Sequence, residues 1–209
     1  MSKLALLGGT PVRSQKDLFP SYNTIATEEE VAVQKILKTG NLSQFLGAWH
    51  SDFDGGPTVK EFEKLWAEKF QVAYATSVNS NTSGLFAAIG ACEIQPGDEV
   101  IVSPYTMSAS ALAPMIYGGV PVFADIDEST LCLSPESVAK KMTANTKAIM
   151  PVHLYGHPAD MAPLMDLAEK DNLIVIEDAA EAHGARYRGR RVGGIGQCGV
   201  FSFYGNKVI

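Results

Sequence analysis

Between residues 72 and 177 the chain repeats one pattern: a short apolar run, a turn, then a segment with helical spacing. The pattern predicts strands at 72–77, 100–103, 120–125, 148–152 and 173–177, and helices at 82–92, 108–117, 134–142 and 159–170. Strands separated by helices of this length need crossover connections, which make a mostly parallel sheet covered on both faces. The runs Ala148-Ile149-Met150-Pro151-Val152 and Leu173-Ile174-Val175-Ile176 lack in–out alternation, as suits strands buried on both sides. The fold class that follows is α/β, a three-layer sandwich around a mostly parallel sheet.

The flanks break the rhythm. Residues 1–26 read as an arm, punctuated by Gly8-Gly9-Thr10-Pro11 and Phe19-Pro20. Thr27, followed by Glu28, Glu29 and Glu30, reads as a hydroxyl cap with acids in the first turn of a helix that Gly40 ends. The loop 41–57 carries Phe45, Trp49 and Phe53 and is either plain surface or a substrate or subunit contact. Pro57 opens a helix with Val59, Phe62, Leu65, Trp66 and Phe70 on one face. Residues 184–194 suggest a small hairpin, and 200–203 one more strand. The domain reading is an arm at 1–26 and one large domain at 27–209. The apolar finish Val208-Ile209 is an awkward place for a domain to stop, so a missing C-terminal segment is expected.

An apolar fraction of 46% with 19% charged residues is ordinary for a globular chain. A net charge of −6 without a basic run gives no footprint for nucleic acid. Cys92, Cys132 and Cys198 are widely spaced and include no CxxC pair, which suits a reducing, cytoplasmic setting. No signal peptide or bilayer-spanning run is apparent.

Three loops fall at the carboxyl edge of such a sheet, where ligands bind. Ser80-Asn81-Thr82-Ser83-Gly84 precedes a helix and can cradle an anion, phosphate above all, or simply cap that helix. Asp178 closes an apolar strand, either as the partner of a buried cation or as the cap of a turn. Lys207 follows a strand and Gly205, either as a positioned amine or as a snorkelling surface lysine. His153 and His157 have H-x₃-H spacing, but Gly156 and Pro158 make a shared helical face, and with it zinc, a poor reading. Gly193-Gly194-Ile195-Gly196 is too far from a βα turn for a dinucleotide fingerprint.

In combination these motifs resemble the pyridoxal-phosphate-dependent sugar aminotransferases of the DegT/StrS type, within the aspartate-aminotransferase-like (fold-type I) class. The matching stretches are 4–12, 96–102, 119–127, 151–161, 175–180 and 201–203 with Asn206-Lys207. The resemblance implies that Lys207 is the Schiff-base lysine and Asp178 the partner of the cofactor's pyridine nitrogen. Thr82, Ser83 and Ser202 would hold the phosphate, with Glu181 near the phenolic oxygen. Most of the family stacks an aromatic ring over the cofactor, and here Met107 takes that place, as a thioether can.

The resemblance also implies a smaller C-terminal domain, absent here, so that the fragment alone is expected to be inactive. The implied reaction moves an amino group from glutamate or glutamine to a keto sugar, nucleotide-linked, or to a cyclitol, within a homodimer. The alternatives are a non-catalytic regulatory or sensory protein that binds the cofactor, and an unrelated doubly wound phosphate-ester enzyme. Sugar dehydratases of the same family carry histidine where this chain has Lys207.

Overall fold

The computed structural model describes residues 3–13, 25–42, 45, 47–51 and 53–207. The chain divides into two compact units, 1–44 and 45–209. Phe19-Pro20 and Val208-Ile209 lie outside the described residues. In the first unit a 3-10 turn, Ala5–Leu7, is closed by Gly8 in the left-handed region. Helix α1 (Thr27–Thr39) has Glu28, Glu29 and Glu30 in its first turn and Gly40 as its left-handed C-cap. The cap differs from the sequence expectation. Ala26, not Thr27, occupies the N-cap position, and its N–H donates to Glu29 Oε2 at 2.8 Å. The Glu29 carboxylate accepts a stronger hydrogen bond than a hydroxyl would and also meets the positive helix end.

The second unit holds α2 (Pro57–Phe70), α3 (Asn81–Ala91), β1 (Glu99–Val102), α4 (Ser108–Met115), β2 (Val120–Phe123) and α5 (Pro135–Lys141). Then come β3 (Thr146–Met150), α6 (Met161–Asp171), β4 (Ile174–Asp178), the hairpin β5 (Arg186–Tyr187) and β6 (Arg190–Arg191), and β7 (Cys198–Val200). Five strands form one parallel sheet in the order β2-β1-β3-β4-β7. Leu85, Ile89 and Ala113 of α3 and α4 cover one face, packing on Val100, Val102, Met150 and Ile176. Val138, Met161 and Leu164 of α5 and α6 cover the other, against Ile101, Ile149 and Val175. Both layers follow from apolar runs in which successive side chains point to opposite faces. The edge strand β2 is the exception, with Val120 and Phe123 about half exposed.

Two strand expectations shift. Residues 72–77 form no strand; with Gly193, Gly194 and residues 196–204 they line a cleft of about 970 Å³. β7 covers 198–200 rather than 200–203, because Phe201 and Phe203 leave the ladder to pack on α2. Phe201 lies 4.5 Å from Phe70 and 5.1 Å from Trp66, centroid to centroid, and Phe203 lies 5.5 Å from Phe62. Such aromatic pairs add to burial alone, and they explain the apolar stripe of α2.

β7 passes very close to the turn at Gly193. A Cβ on Gly199 would stand 2.3 Å from the Gly193 carbonyl oxygen. Gly199→Ala is therefore expected to cost about 2–3 kcal/mol through overpacking against backbone. Thermal unfolding followed by circular dichroism should show a midpoint lowered by roughly 5–10 °C.

Candidate functional site

The site is built where β4 and β7 end side by side. Their register pairs Asp178 with Val200, so the loops that follow, 179–183 and 201–207, leave the same sheet edge. Alternation along β4 sends its two terminal carboxylates to opposite faces. Asp178 shares the face of Ile174 and Ile176, under α3 and α4, while Glu177 shares the face of Val175.

Glu177 is fully buried and completely partnered. Oε2 accepts from His153 Nε2 at 2.9 Å and from the Gly193 N–H at 2.7 Å. Oε1 accepts the N–H groups of Ile195 (2.6 Å) and Gly196 (2.7 Å). The Ala159 N–H donates to His153 Nδ1 at 3.0 Å, so the ring proton sits on Nε2 and goes to Glu177. Burial by itself raises the Glu177 pKa, but the His153 contact and the two glycine amides outweigh it and hold the carboxyl below its ordinary range. His153 of the H-x₃-H pair is thereby a buried structural residue, and among the described residues no cluster of His, Cys, Asp or Glu could hold a metal ion.

Asp178 has a different environment. It is 3% exposed; Oδ2 accepts from Ser110 Oγ at 2.7 Å and Oδ1 from the Ala180 N–H at 3.2 Å. Burial pushes its pKa above the usual carboxylate range, with Ser110 and Ala180 opposing. Among the described residues no cation lies within ion-pair distance of it. A desolvated carboxylate with two hydrogen bonds favours any positive charge brought beside it.

The amine stands on the neighbouring loop. Lys207 Nζ donates to Glu181 Oε1 at 3.0 Å, with the lysine side chain 14% exposed. Glu181 Oε2 accepts the Tyr155 N–H at 2.9 Å. Burial raises the Glu181 pKa, but the Tyr155 amide and Lys207 together bring it below its ordinary value. Tyr155 holds φ +52°, a conformation costly for a non-glycine residue, and the Glu181 contact is one of the bonds that fix it.

The third component is the start of α3. Ser80 is the N-cap, its Oγ accepting the Ser83 N–H at 3.1 Å while donating to Ser83 Oγ. Thr82 follows in the first turn, where amides lack intrahelical acceptors. Asn81 Nδ2 is buried without an acceptor among the described residues. Ser202, 6% exposed, accepts the Tyr204 N–H at 3.3 Å. Ser80, Asn81 and Ser202 line the cleft, whereas Asp178, Glu181 and Lys207 do not. Met107 is the N-cap of α4, on the helix that carries Ser110, and is 71% exposed.

The sequence assigns Ser110 and Tyr155 no site role, although they fall in the expected helix 108–117 and the matching stretch 151–161. Ser110 lies in an alanine-rich stretch, where a lone hydroxyl on a buried helix face is the available signal. The Tyr105 and Tyr155 hydroxyls meet at 3.2 Å across loops fifty residues apart, which no local pattern reveals.

Comparison with known proteins agrees with this architecture. GDP-perosamine synthase of Caulobacter vibrioides is 47% identical over 154 residues, covering 74% of this chain and 42% of that protein. L-glutamine:2-deoxy-scyllo-inosose aminotransferase of Streptomyces lividus is 39% identical, covering 99% of this chain and 47% of that protein. Spr1654 of Streptococcus pneumoniae, solved in a PLP-form, superposes with a TM-score of 0.79 at 28% identity, covering 88% of this chain and 48% of that one. The chain thus spans about half the length of the curated relatives it matches. The model of the DegT/DnrJ/EryC1/StrS aminotransferase family matches residues 25–209, and the chain belongs to that family.

Proposed function

We propose that this chain is the cofactor-binding part of a pyridoxal-phosphate-dependent aminotransferase. The observation that carries the reading is Asp178, a buried carboxylate with no cation within ion-pair distance among the described residues, at the edge that also bears the Lys207–Glu181 pair. The donor set suits a phosphorylated pyridine. The Thr82 amide and the hydroxyls of Thr82 and Ser83 at the start of α3, with Ser202, would hold the phosphate. The unsatisfied Asn81 Nδ2 at the same helix start is a further donor. Asp178 would stand against the ring nitrogen, with Met107 over the ring and Glu181 near its phenolic oxygen. When bound, this cofactor supplies an electron-accepting ring that stabilises negative charge on the substrate carbon.

The remaining work falls to the chain. Ser110 and the Ala180 amide fix the orientation of the Asp178 carboxylate, so no reorganisation is needed when positive charge arrives. Glu181 holds the Lys207 ammonium in place at 3.0 Å. Lys207 without that proton is both nucleophile and proton carrier.

We take the donor to be glutamate or glutamine and the acceptor a keto group on a nucleotide-linked sugar or cyclitol, in line with the names of the relatives. A cytosolic homodimer completes the proposal. The three cysteines are free thiols, and Trp49, 95% exposed and stacked 5.2 Å from Phe53, presents an apolar surface suited to a subunit contact. Among the described residues no helix is long and apolar enough to cross a membrane.

The test is the visible absorption of the protein mixed with pyridoxal phosphate. Binding to Lys207 is expected to give a long-wavelength band that Lys207→Ala abolishes, while pyridoxamine phosphate still binds the variant. An unchanged spectrum in Lys207→Ala would defeat the assignment.

A further inference from the structure

Cys92 is the C-terminal cap of α3 and Cys198 opens β7, 106 residues apart in sequence, yet their Sγ atoms lie 4.0 Å apart. Neither thiol is fully buried, and Cys198 lines the cleft of about 970 Å³. Cys132 is unlike them, being buried with its Sγ donating to the His157 carbonyl at 3.4 Å. A disulfide needs a separation of about 2.05 Å, so the pair must close by roughly 2 Å, a distance side-chain torsions can supply at partly exposed positions.

We propose that Cys92 and Cys198 form a reversible dithiol–disulfide site, oxidised by a small-molecule disulfide of the glutathione type. The proposal stands independently of the amino-transfer reading. The exchange balances without any further reactant. The Cys92 thiolate attacks one sulfur of the reagent and forms a mixed disulfide, and the first thiolate leaves. Cys198 gives up its proton and attacks Cys92 Sγ, and the second thiolate leaves. Two protein thiols become one disulfide, the reagent is reduced to two thiols, and the protein's two protons end on them.

The order of attack follows from the surroundings. The contact with the Cys198 thiol lowers the Cys92 pKa, against a smaller opposing effect of burial. That contact and burial both raise the pKa of Cys198. The lower-pKa thiol carries the larger thiolate fraction and reacts first. Closure would tie the far end of α3, whose first turn begins beyond the Ser80 cap, to the strand that runs into Ser202 and Lys207.

The experiment is thiol mapping of the purified, non-denatured protein after incubation with oxidised glutathione. Excess alkylating reagent is then added under denaturing conditions, followed by peptide mass spectrometry. The expected result is a loss of two hydrogen masses, a joined pair of peptides containing Cys92 and Cys198, and an alkylated Cys132. Dithiothreitol should restore both thiols. In Cys198→Ser the internal link is expected to vanish and a stable glutathione adduct to remain on Cys92. Separate, fully alkylated Cys92 and Cys198 peptides would overturn the proposal. So would a link to Cys132, or an internal disulfide that persists in Cys198→Ser.

Discussion

Glu177→Ala is expected to lower stability by about 3–5 kcal/mol, because it strands the other half of a buried polar network. The His153 Nε2 proton and the amides of Gly193, Ile195 and Gly196 all end on this one carboxylate. The His153 and Gly193 donors are buried, so each of these carries its own desolvation cost when the side chain is cut back. Urea unfolding should show a lower midpoint with an unchanged slope, the signature of lost stability rather than a changed unfolded state. Glu177→Gln keeps one acceptor oxygen and should lose less.

The sign of the pH dependence follows from the lowered pKa. The folded state holds Glu177 ionised more firmly than the unfolded chain does. Its contribution is complete above the unfolded value and is lost as pH falls through the lower, folded one. Acid unfolding of the wild type should therefore steepen in that window, and the glutamine variant should lack this component.

The residues of this network show what the sequence could and could not disclose. The parallel sheet was legible because four of the five apolar runs that alternate with helical spacing became its strands, and local patterning dictates both elements. The pairing order β2-β1-β3-β4-β7 was not, since each ladder joins segments with no mark of their neighbours. The failure at 72–77 has the same root: an apolar run becomes a strand only where a partner supplies the ladder.

Asp178 and Lys207 stood out because an acid and an amine each follow an apolar strand. Their shared edge then follows from the parallel pairing of β4 with β7. Glu177 and Asp178 are adjacent in sequence and look interchangeable there. Only the alternation of β4 separates them, one into a closed hydrogen-bond lock with His153, the other toward Ser110 under α4. His153, whose H-x₃-H spacing made a poor metal pair, belongs to the lock.

That separation gives the second large effect, opposite in sign for stability and function. Asp178→Asn is expected to leave the fold intact and to raise the unfolding midpoint of the cofactor-free protein by about 2–4 °C, roughly 1 kcal/mol. Burial holds the native carboxyl above its ordinary pKa, so ionising it costs folding free energy. In the wild type, stability should fall as pH rises from the unfolded pKa toward the raised, folded one, and the neutral amide should abolish that decline. The amide can satisfy the same neighbours: its oxygen accepts the Ala180 N–H and its NH₂ donates to Ser110 Oγ. The Ser110 proton is then free to turn to Thr106 Oγ1, 3.2 Å away.

On the proposed function, amino transfer should fall on the order of 10³-fold, about 4 kcal/mol of barrier, because the fixed negative charge proposed to face the ring nitrogen would be gone. Thermal shift and single-turnover rate, measured on the same preparation, check both halves. A residue that merely capped a turn would lose stability on this substitution and leave the rate nearly alone. A rise in the midpoint with a collapse in rate is the outcome that a buried charge kept for an incoming cation requires.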